Sequence, residues 1–366
     1  MLLARRQLIA SSAALALPAC QPPRPRTLVS NPACLPPVKV APNRVIRTVA
    51  GLRPYRASGF VVRAEQLGSK RLVHNYGHGG AGITLSWGTS RLAIDLGLPG
   101  HNGPVAVLGA GIMGFTTARL IQEAGFPVTL YAKALPPHTT SNIAGGQWEA
   151  FSHYEEDQVT PEWQAQYSRA LEYSWRRFQI MVGEDYGIRW VPTFQQSERD
   201  PSRPSRVMRY MPNLRVVPKS EHPFPVDSQI IAFDTLYAEV GRLLNQLTRD
   251  IQIAGGRILV RDFATPADIA ALPETLVFNC TGLGARALFG DTGLIPARGQ
   301  LAILLPQPEI RYAYSGRMGY MFPRPDGILC GGTFERGVEI AEPQQADIDG
   351  ILANHAAFFA GFRCTA

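Results

Sequence analysis

The chain has 366 residues, 45% of them hydrophobic, and a formal net charge of +7 at pH 7. That length builds one large or two smaller cored domains, and the composition is ordinarily globular. The basic excess is scattered and partly sits in the leader, which argues against a nucleic-acid footprint. After the leader no stretch is apolar enough to cross a membrane.

Residues 1–20, MLLARRQLIASSAALALPAC, pair adjacent Arg5 and Arg6 with an apolar run from Leu8 to Leu17. The run is too short for a bilayer and reads as the core of a twin-arginine-type export signal. Export to a bacterial periplasm is therefore expected. LPAC resembles a lipoprotein cleavage box, so a lipidated Cys20 would tether the protein to the membrane; ordinary cleavage after an alanine is the alternative. Residues 21–43 follow as a Pro-rich tether without hydrophobic period.

PVAVLGAGIMGFTTARLIQEAGFPVTLYA reads as a complete βαβ unit. Val105–Leu108 suits a short buried parallel strand. Gly109, Gly111 and Gly114 take the G-x-G-x-x-G spacing: a tight turn, close approach of a pyrophosphate, and helix-on-strand packing. Ile112, Phe115, Leu120 and Ile121 face inward on the helix, Gly125 stops it, and Pro127–Tyr131 forms the second strand. The acidic residue expected to hold the ribose is missing. Lys133 stands there, and it accepts no hydrogen bond.

Further on, Thr160 and Pro161 read as N-cap and first residue of a helix. A second helix is expected near Asp234–Ala254, with Asp234 as cap and Leu236, Val240, Leu243, Leu247 and Ile251 on one side. Sheet is expected around Ile188–Pro225 and Gln300–Gly332. No Cys/His spacing suggests a metal.

Further stretches complete a pattern: TTSNIAGGQW at Thr139–Trp148, LVFNCTGLGA at Leu276–Ala285, ARGQ at Ala297–Gln300 and GYMFPRPDGILCGG at Gly319–Gly332. With GLRPYR at Gly51–Arg56 and HNYGHGG at His74–Gly80, the chain resembles the D-amino acid oxidase family of FAD enzymes. In that family the last two motifs close the chain; here they precede the dinucleotide motif. The order implies a circular permutation, with DLGLPGHNGP joining the old ends and the new ends falling between FFAGFRCTA and RVIRTVAGLRP.

The resemblance implies an α/β fold (α+β overall): a doubly wound, Rossmann-like FAD-binding domain and a sheet-rich substrate domain. The FAD domain would take 44–150, with 44–98 as the permuted segment and 104–150 as the βαβ unit, and also 226–299. Residues 151–225, for the most part, and 300–332 would form the substrate domain, and 333–366 a C-terminal segment.

It also implies the site. Arg53, a bidentate fork, and the Tyr320 hydroxyl would bind a substrate carboxylate. The Gly80 carbonyl would receive the amine. FAD would contact Gly109, Ala110, Gly111, Ile112, Met113 and Gly114, then Thr139, Thr140, Ser141, Gly145 and Gly146, then Thr281, Gly282 and Arg298. The helix opening at Gly79, Gly80, Gly82 and Ile83 would hold the electron-rich edge of the reduced flavin, Thr84 adding a hydroxyl. His74 and His78 are assigned packing. A second tyrosine found in vertebrate members is Gly316 here, Gln147 and Glu149 replace an apolar residue and an amide, and Phe322 replaces an aliphatic one.

The implied reaction is oxidation of a D-amino acid, with hydrolysis of the imine to a 2-oxo acid and ammonia and reduction of oxygen to peroxide. Glycine or an N-methyl amino acid as substrate, an acceptor other than oxygen, and a non-catalytic flavin-binding protein are the alternatives. Oligomeric state stays open. Cys280 and Cys330 read as small buried hydrophobes. Cys34 and Cys364 would flank the permutation cut, and a disulfide between them is expected in an oxidising compartment.

Overall fold

The computed structural model describes residues 34–198 and 204–363. The export and lipidation readings, which rest on residues 1–20, lie outside them. In chain order the strands are β1 (Val45–Arg56), β2 (Val61–Leu67), β3 (Lys70–Tyr76), β4 (Val105–Leu108), β5 (Val128–Ala132), β6 (Ile188–Gln196), β7 (Arg215–Val217) and β8 (Ile230–Ala238). They continue as β9 (Arg257–Val260), β10 (Leu276–Asn279), β11 (Leu294–Leu304), β12 (Ala313–Gly316), β13 (Gly319–Arg324), β14 (Gly327–Gly331) and β15 (Glu335–Arg336). The helices are α1 (Gly82–Gly97), α2 (Ile112–Glu123), α3 (Pro161–Ile180), α4 (Val240–Ile253), α5 (Pro266–Ala270), α6 (Gly284–Phe289) and α7 (Gln345–Ala360).

Two sheets organise the molecule. A six-stranded sheet runs β2-β3-β10-β4-β5-β9. Only β2 is antiparallel in it; β3, β10, β4, β5 and β9 pair in parallel. All four residues of β4 and of β10 are buried, as strands covered on both faces must be. The polar Asn75 is buried too, and its Nδ2 donates to Ser90 Oγ of α1 (3.3 Å) and Thr117 Oγ1 of α2 (3.2 Å). This pins the HNYGHGG strand to two helices. α1 also crosses α3 closely. A Cβ on Gly88 would lie 1.9 Å from the Ala170 carbonyl, so only glycine permits the approach.

The nine-stranded sheet runs β1-β11-β14-β13-β12-β6-β8-β7, with β15 on β11. α7 covers it, burying Ile348, Ile351, Leu352 and Phe359 in the same cluster as Ala302, Ile328 and Cys330. Thr160 Oγ1 accepts from Trp163 N at 3.2 Å and opens α3, with Pro161 at its first turn.

The division of the chain is finer than the sequence reading. β1 belongs to the nine-stranded sheet, as do β8 and β11, although all three fell wholly or mainly inside the assigned cofactor segments. α3, assigned with the substrate part, packs in the same core cluster as α1 and α2. The helix expected from Asp234 starts at Val240, with Glu239 as N-cap. Asp234 lies within β8 and accepts from Asn213 Nδ2 at 2.7 Å. The apolar run IIAFDTLYA explains this: seven of its first eight residues are buried, a strand's pattern, and Leu236 shares it.

The tether also departs from expectation. Leu35 and Val38 are buried, Tyr312 Oη donates to the Pro36 carbonyl (2.9 Å), and Lys39 N donates to Gln307 Oε1 (2.8 Å). Leu35 belongs to an apolar cluster against which Phe362 also packs, so both ends of the described chain rest on the same core. Cys34 is disulfide-bonded, whereas Cys280 and Cys330 are buried free thiols. The expected partner, Cys364, lies outside the described residues.

Candidate functional site

The loops at the carboxyl ends of β4, β5, β9 and β10 enclose a cavity of about 630 Å³. Its floor is the stretch Gly109–Met113, facing the start of α2. The three motif glycines do different work. Gly109 sits at φ +105, and a Cβ there would lie 2.4 Å from the Cys280 carbonyl. A Cβ on Gly114 would lie 1.8 Å from the Gly109 carbonyl, so this glycine serves helix-on-strand contact and lines no cavity. At Gly111 a Cβ would meet only Ser141 Oγ, at 3.1 Å, and would project into the cavity. A phosphate-bearing ligand needs that backbone bare.

Thr139, Thr140 and Ser141 form a second wall, and Ser141 Oγ accepts from Ile112 N at 3.0 Å. Thr281 and Gly282 form a third, fixed by Asn279 Oδ1, which accepts from Thr281 N (3.2 Å) and Thr281 Oγ1 (2.7 Å). Gly79, Gly82 and Ile83 close the far end. Ile83 and Thr140 also line a small inner chamber of about 80 Å³, together with Gly80, Gly145, Gly146, Arg53 and Tyr320.

Arg53 and Tyr320 come from strands far apart in sequence. Arg53, on β1, opposes Ala297 of β11, and its Nη1 donates to the Thr333 carbonyl at 3.1 Å. Tyr320, on β13, stacks on Phe322 with centroids 4.6 Å apart. Burial pushes its phenol up, and the Arg53 charge and hydrogen bond oppose the rise. Tyr320 is thus a neutral donor beside a permanent cation. Three glycines make room for the pair. A Cβ on Gly299 would lie 2.3 Å from Arg53 Nη2, one on Gly331 2.4 Å from the Tyr320 ring, and one on Gly332 2.8 Å from the Tyr320 hydroxyl. Behind them, the buried His355 of α7 places Nε2 3.0 Å from the Tyr320 carbonyl.

The chamber shares Gln147, Glu149, Phe151, Tyr320 and Phe322 with an outer cavity of about 850 Å³. The outer wall adds Gln195, Ser315 and Gly316. At Gly316 a Cβ would meet Gln196 Oε1 at 2.7 Å and Tyr314 Oη at 2.8 Å, so those side chains fill the space a second tyrosine would need.

Besides Gly114, two of the expected contacts line none of these three cavities. Thr84 is buried, and its hydroxyl clamps the adjoining segment: it donates to the Glu149 carbonyl and accepts from Glu149 N, both at 3.1 Å. Arg298 turns away into an ion pair with Glu335, since β15 pairs with β11 at that point. Its anionic partners, Glu335 and Asp347, hold it in place of a cofactor phosphate.

The histidines are held by structure. His74 Nδ1 accepts from Asn279 Nδ2 (3.0 Å), and its Nε2 lies 3.0 Å from Glu65. His78 lines the cofactor cavity, stacks on Phe60 and places Nε2 2.9 Å from Thr89 Oγ1. Burial, aided by nearby His153, pushes His78 down to about 3, so it stays neutral. Sequence reasoning missed Gly51 and Gly299, which face each other across β1 and β11 and both line the chamber. Paired glycines inside long strands were the available signal of close approach. It also missed the wall formed by Arg261–Ala264 after β9.

The family profile described as "DAO: FAD dependent oxidoreductase" matches residues 31–96 and 104–365. The chain is 29% identical over 275 residues to a D-amino-acid oxidase of Streptomyces coelicolor, covering 70% of this chain and 78% of that one. It is 26% identical over 255 residues to a D-amino acid oxidase of Dugesia ryukyuensis, covering 68% and 75%. Among solved structures, iminodiacetate oxidase from Chelativorans sp. BNC1 aligns with a TM-score of 0.54 at 18% identity, covering 70% and 79%. Glycine oxidase from Geobacillus kaustophilus aligns with a TM-score of 0.53 at 17% identity, covering 70% and 78%. The motif glycines, the bare cradle at Gly111 and the adjoining chamber fit a flavin dinucleotide. The chain belongs to the DAO family of FAD-dependent oxidoreductases, and its chemistry is of the amino acid oxidase kind.

Proposed function

We propose that the protein oxidises D-amino acids to 2-oxo acids, ammonia and hydrogen peroxide. The observation that carries this reading is the Arg53–Tyr320 pair in a chamber set between the cofactor cavity and the outer cavity. When bound, FAD supplies the two-electron acceptor for the substrate α-carbon. The chain's own groups bind and orient. The Arg53 fork and the Tyr320 hydroxyl hold the carboxylate, and a carbonyl at Gly80 receives the amine. No general base is required, which agrees with a His78 that burial makes a weak proton acceptor. The imine leaves to react with water, and oxygen takes up the two electrons as peroxide.

The outer cavity favours a substrate with a side chain over glycine, because about 850 Å³ opens where that side chain would extend. Its polar wall of Gln147, Glu149, Gln195 and Ser315 favours a hydrogen-bonding side chain over a purely aliphatic one. The permuted order is supported by the packing of Leu35 and Phe362 on one apolar core and by the two-piece family match, interrupted between α1 and β4. Export is supported by the disulfide at Cys34.

A peroxide assay on purified protein across paired D- and L-amino acids, with glycine and sarcosine beside them, tests the reading. Turnover of D forms is the expected result. A yellow protein that turns over only glycine or sarcosine would replace the substrate class, and a folded protein that takes up no FAD would end the reading.

A further inference from the structure

Dinucleotide-binding folds place an acidic side chain at the end of the second strand, where it accepts hydrogen bonds from the adenosine ribose. Here β5 ends at Ala132 and the next residue is Lys133, which has no acceptor. The neighbouring strand supplies what is missing. β9 runs parallel to β5 with Val260 opposite Ala132, and Arg261 N donates to the Ala132 carbonyl at 2.9 Å. This register carries Asp262 to the side of Lys133, with Nζ 3.2 Å from Oδ2. Both residues line the cofactor cavity with Gly109 and Gly111.

The Asp262 carboxylate is held at both oxygens, Oδ1 accepting from Phe263 N at 3.0 Å and Oδ2 facing Lys133. A carboxylate offers about four lone-pair sites, so acceptor capacity remains. The neighbouring cation is directed elsewhere: the Arg261 guanidinium stacks over the Phe263 ring at 4.9 Å. Asp262 remains solvent-exposed. We propose that Asp262, oriented by Lys133, accepts the ribose hydroxyls of the adenosine half of the cofactor, so that the acidic function sits one strand outward from its usual place. The inference rests on the FAD reading and adds to it how this chain grips the nucleotide end.

The test is binding of FAD, and of ADP as the adenosine probe, to deflavinated full-length protein, followed by flavin fluorescence and calorimetry. Asp262→Ala and the isosteric Asp262→Asn should each weaken FAD and ADP about 10-fold, while riboflavin binding stays unchanged. Restoring the acid just after β5, as Lys133→Asp in the Asp262→Ala background, should recover most of the loss. FAD carrying a 2′-deoxyribose adenosine should bind wild type more weakly than FAD, with that gap shrinking in Asp262→Asn. Wild-type affinity for FAD and ADP in both Asp262 variants overturns the proposal and leaves the FAD reading standing. An equal loss for riboflavin also overturns it, because the effect would then be general. Failure of wild type to bind FAD at all strikes the functional reading instead.

Discussion

The two halves of the site are built by opposite means. The cofactor cavity is assembled largely from short contiguous stretches, Gly109–Met113 at the end of β4 and Thr139–Ser141 in the segment that follows β5. The inner chamber is assembled by register: Arg53 on β1, the space-making Gly299 on β11 and Tyr320 on β13 meet only because these strands align, β13 through β14. In one region a motif is the site. In the other a motif residue depends on glycines elsewhere that hold no ligand.

Gly111→Val attacks the local half and should have the largest effect. Its Cβ meets little protein, only Ser141 Oγ at 3.1 Å, so the fold should persist while the cavity is obstructed. Colourless, folded protein without oxidase activity is expected by absorbance and circular dichroism. Full flavin occupancy would show that the glycine cradle does not hold the pyrophosphate.

Arg53→Ala attacks the assembled half. Flavin should stay bound while kcat/KM for the best substrate falls by about 30- to 5,000-fold, the equivalent of roughly 2–5 kcal/mol for a charged pair lost in a closed site. Steady-state kinetics near wild type would remove Arg53 from substrate binding. Gly299→Ala sharpens the comparison, because its methyl would displace the Arg53 guanidinium without touching its charge. A loss of about 10-fold, mainly in KM, is expected; unchanged kinetics would mean that Arg53 has another productive position.

A smaller effect separates structure from catalysis. His78 and His153 are both pushed by burial to about 3. Their folded-state values lie below the unfolded value near 6.5, so the unfolded chain takes up more protons. Stability is then full above about pH 6.5 and declines as pH falls toward 3, by on the order of 1 kcal/mol per pH unit per ring. His153→Phe should flatten the slope of Tm against pH between 6.5 and 4 and leave the pH profile of kcat in place. An unchanged slope would mean that His153 stays protonated when folded. Thr160→Ala, which removes the α3 cap, should cost about 1 kcal/mol and nothing in kcat/KM.

The same contrast explains what was legible beforehand. The βαβ unit, its glycines and the Thr160 cap were readable because each rule spans a few residues. The α4 boundary was misjudged because Asp234 imitates a cap inside a run whose burial is that of a strand. Arg298 and Thr84 were misplaced because the resemblance carries residue identity but not the partner that claims each one, Glu335 for the first and the Gln147–Glu149 backbone for the second. The role of Gly299 was hidden because its reason lies on another strand. The wall at Arg261–Ala264 was hidden because parallel pairing of β5 and β9 leaves no mark in either segment.

The placement of β1 and β3 also sets the order in which a growing chain becomes a protein. β1 leaves the ribosome early, yet its partner is β11, with Arg53 opposite Ala297; β3 likewise waits for β10. Neither sheet closes until most of the chain has been made, so contacts are distant in sequence and folding is expected to be slow and to finish after translation. Arg53 is therefore among the first parts synthesised and among the last to find its setting. The cofactor cavity, walled by the segments after β4 and β10, is expected to form on the same late schedule.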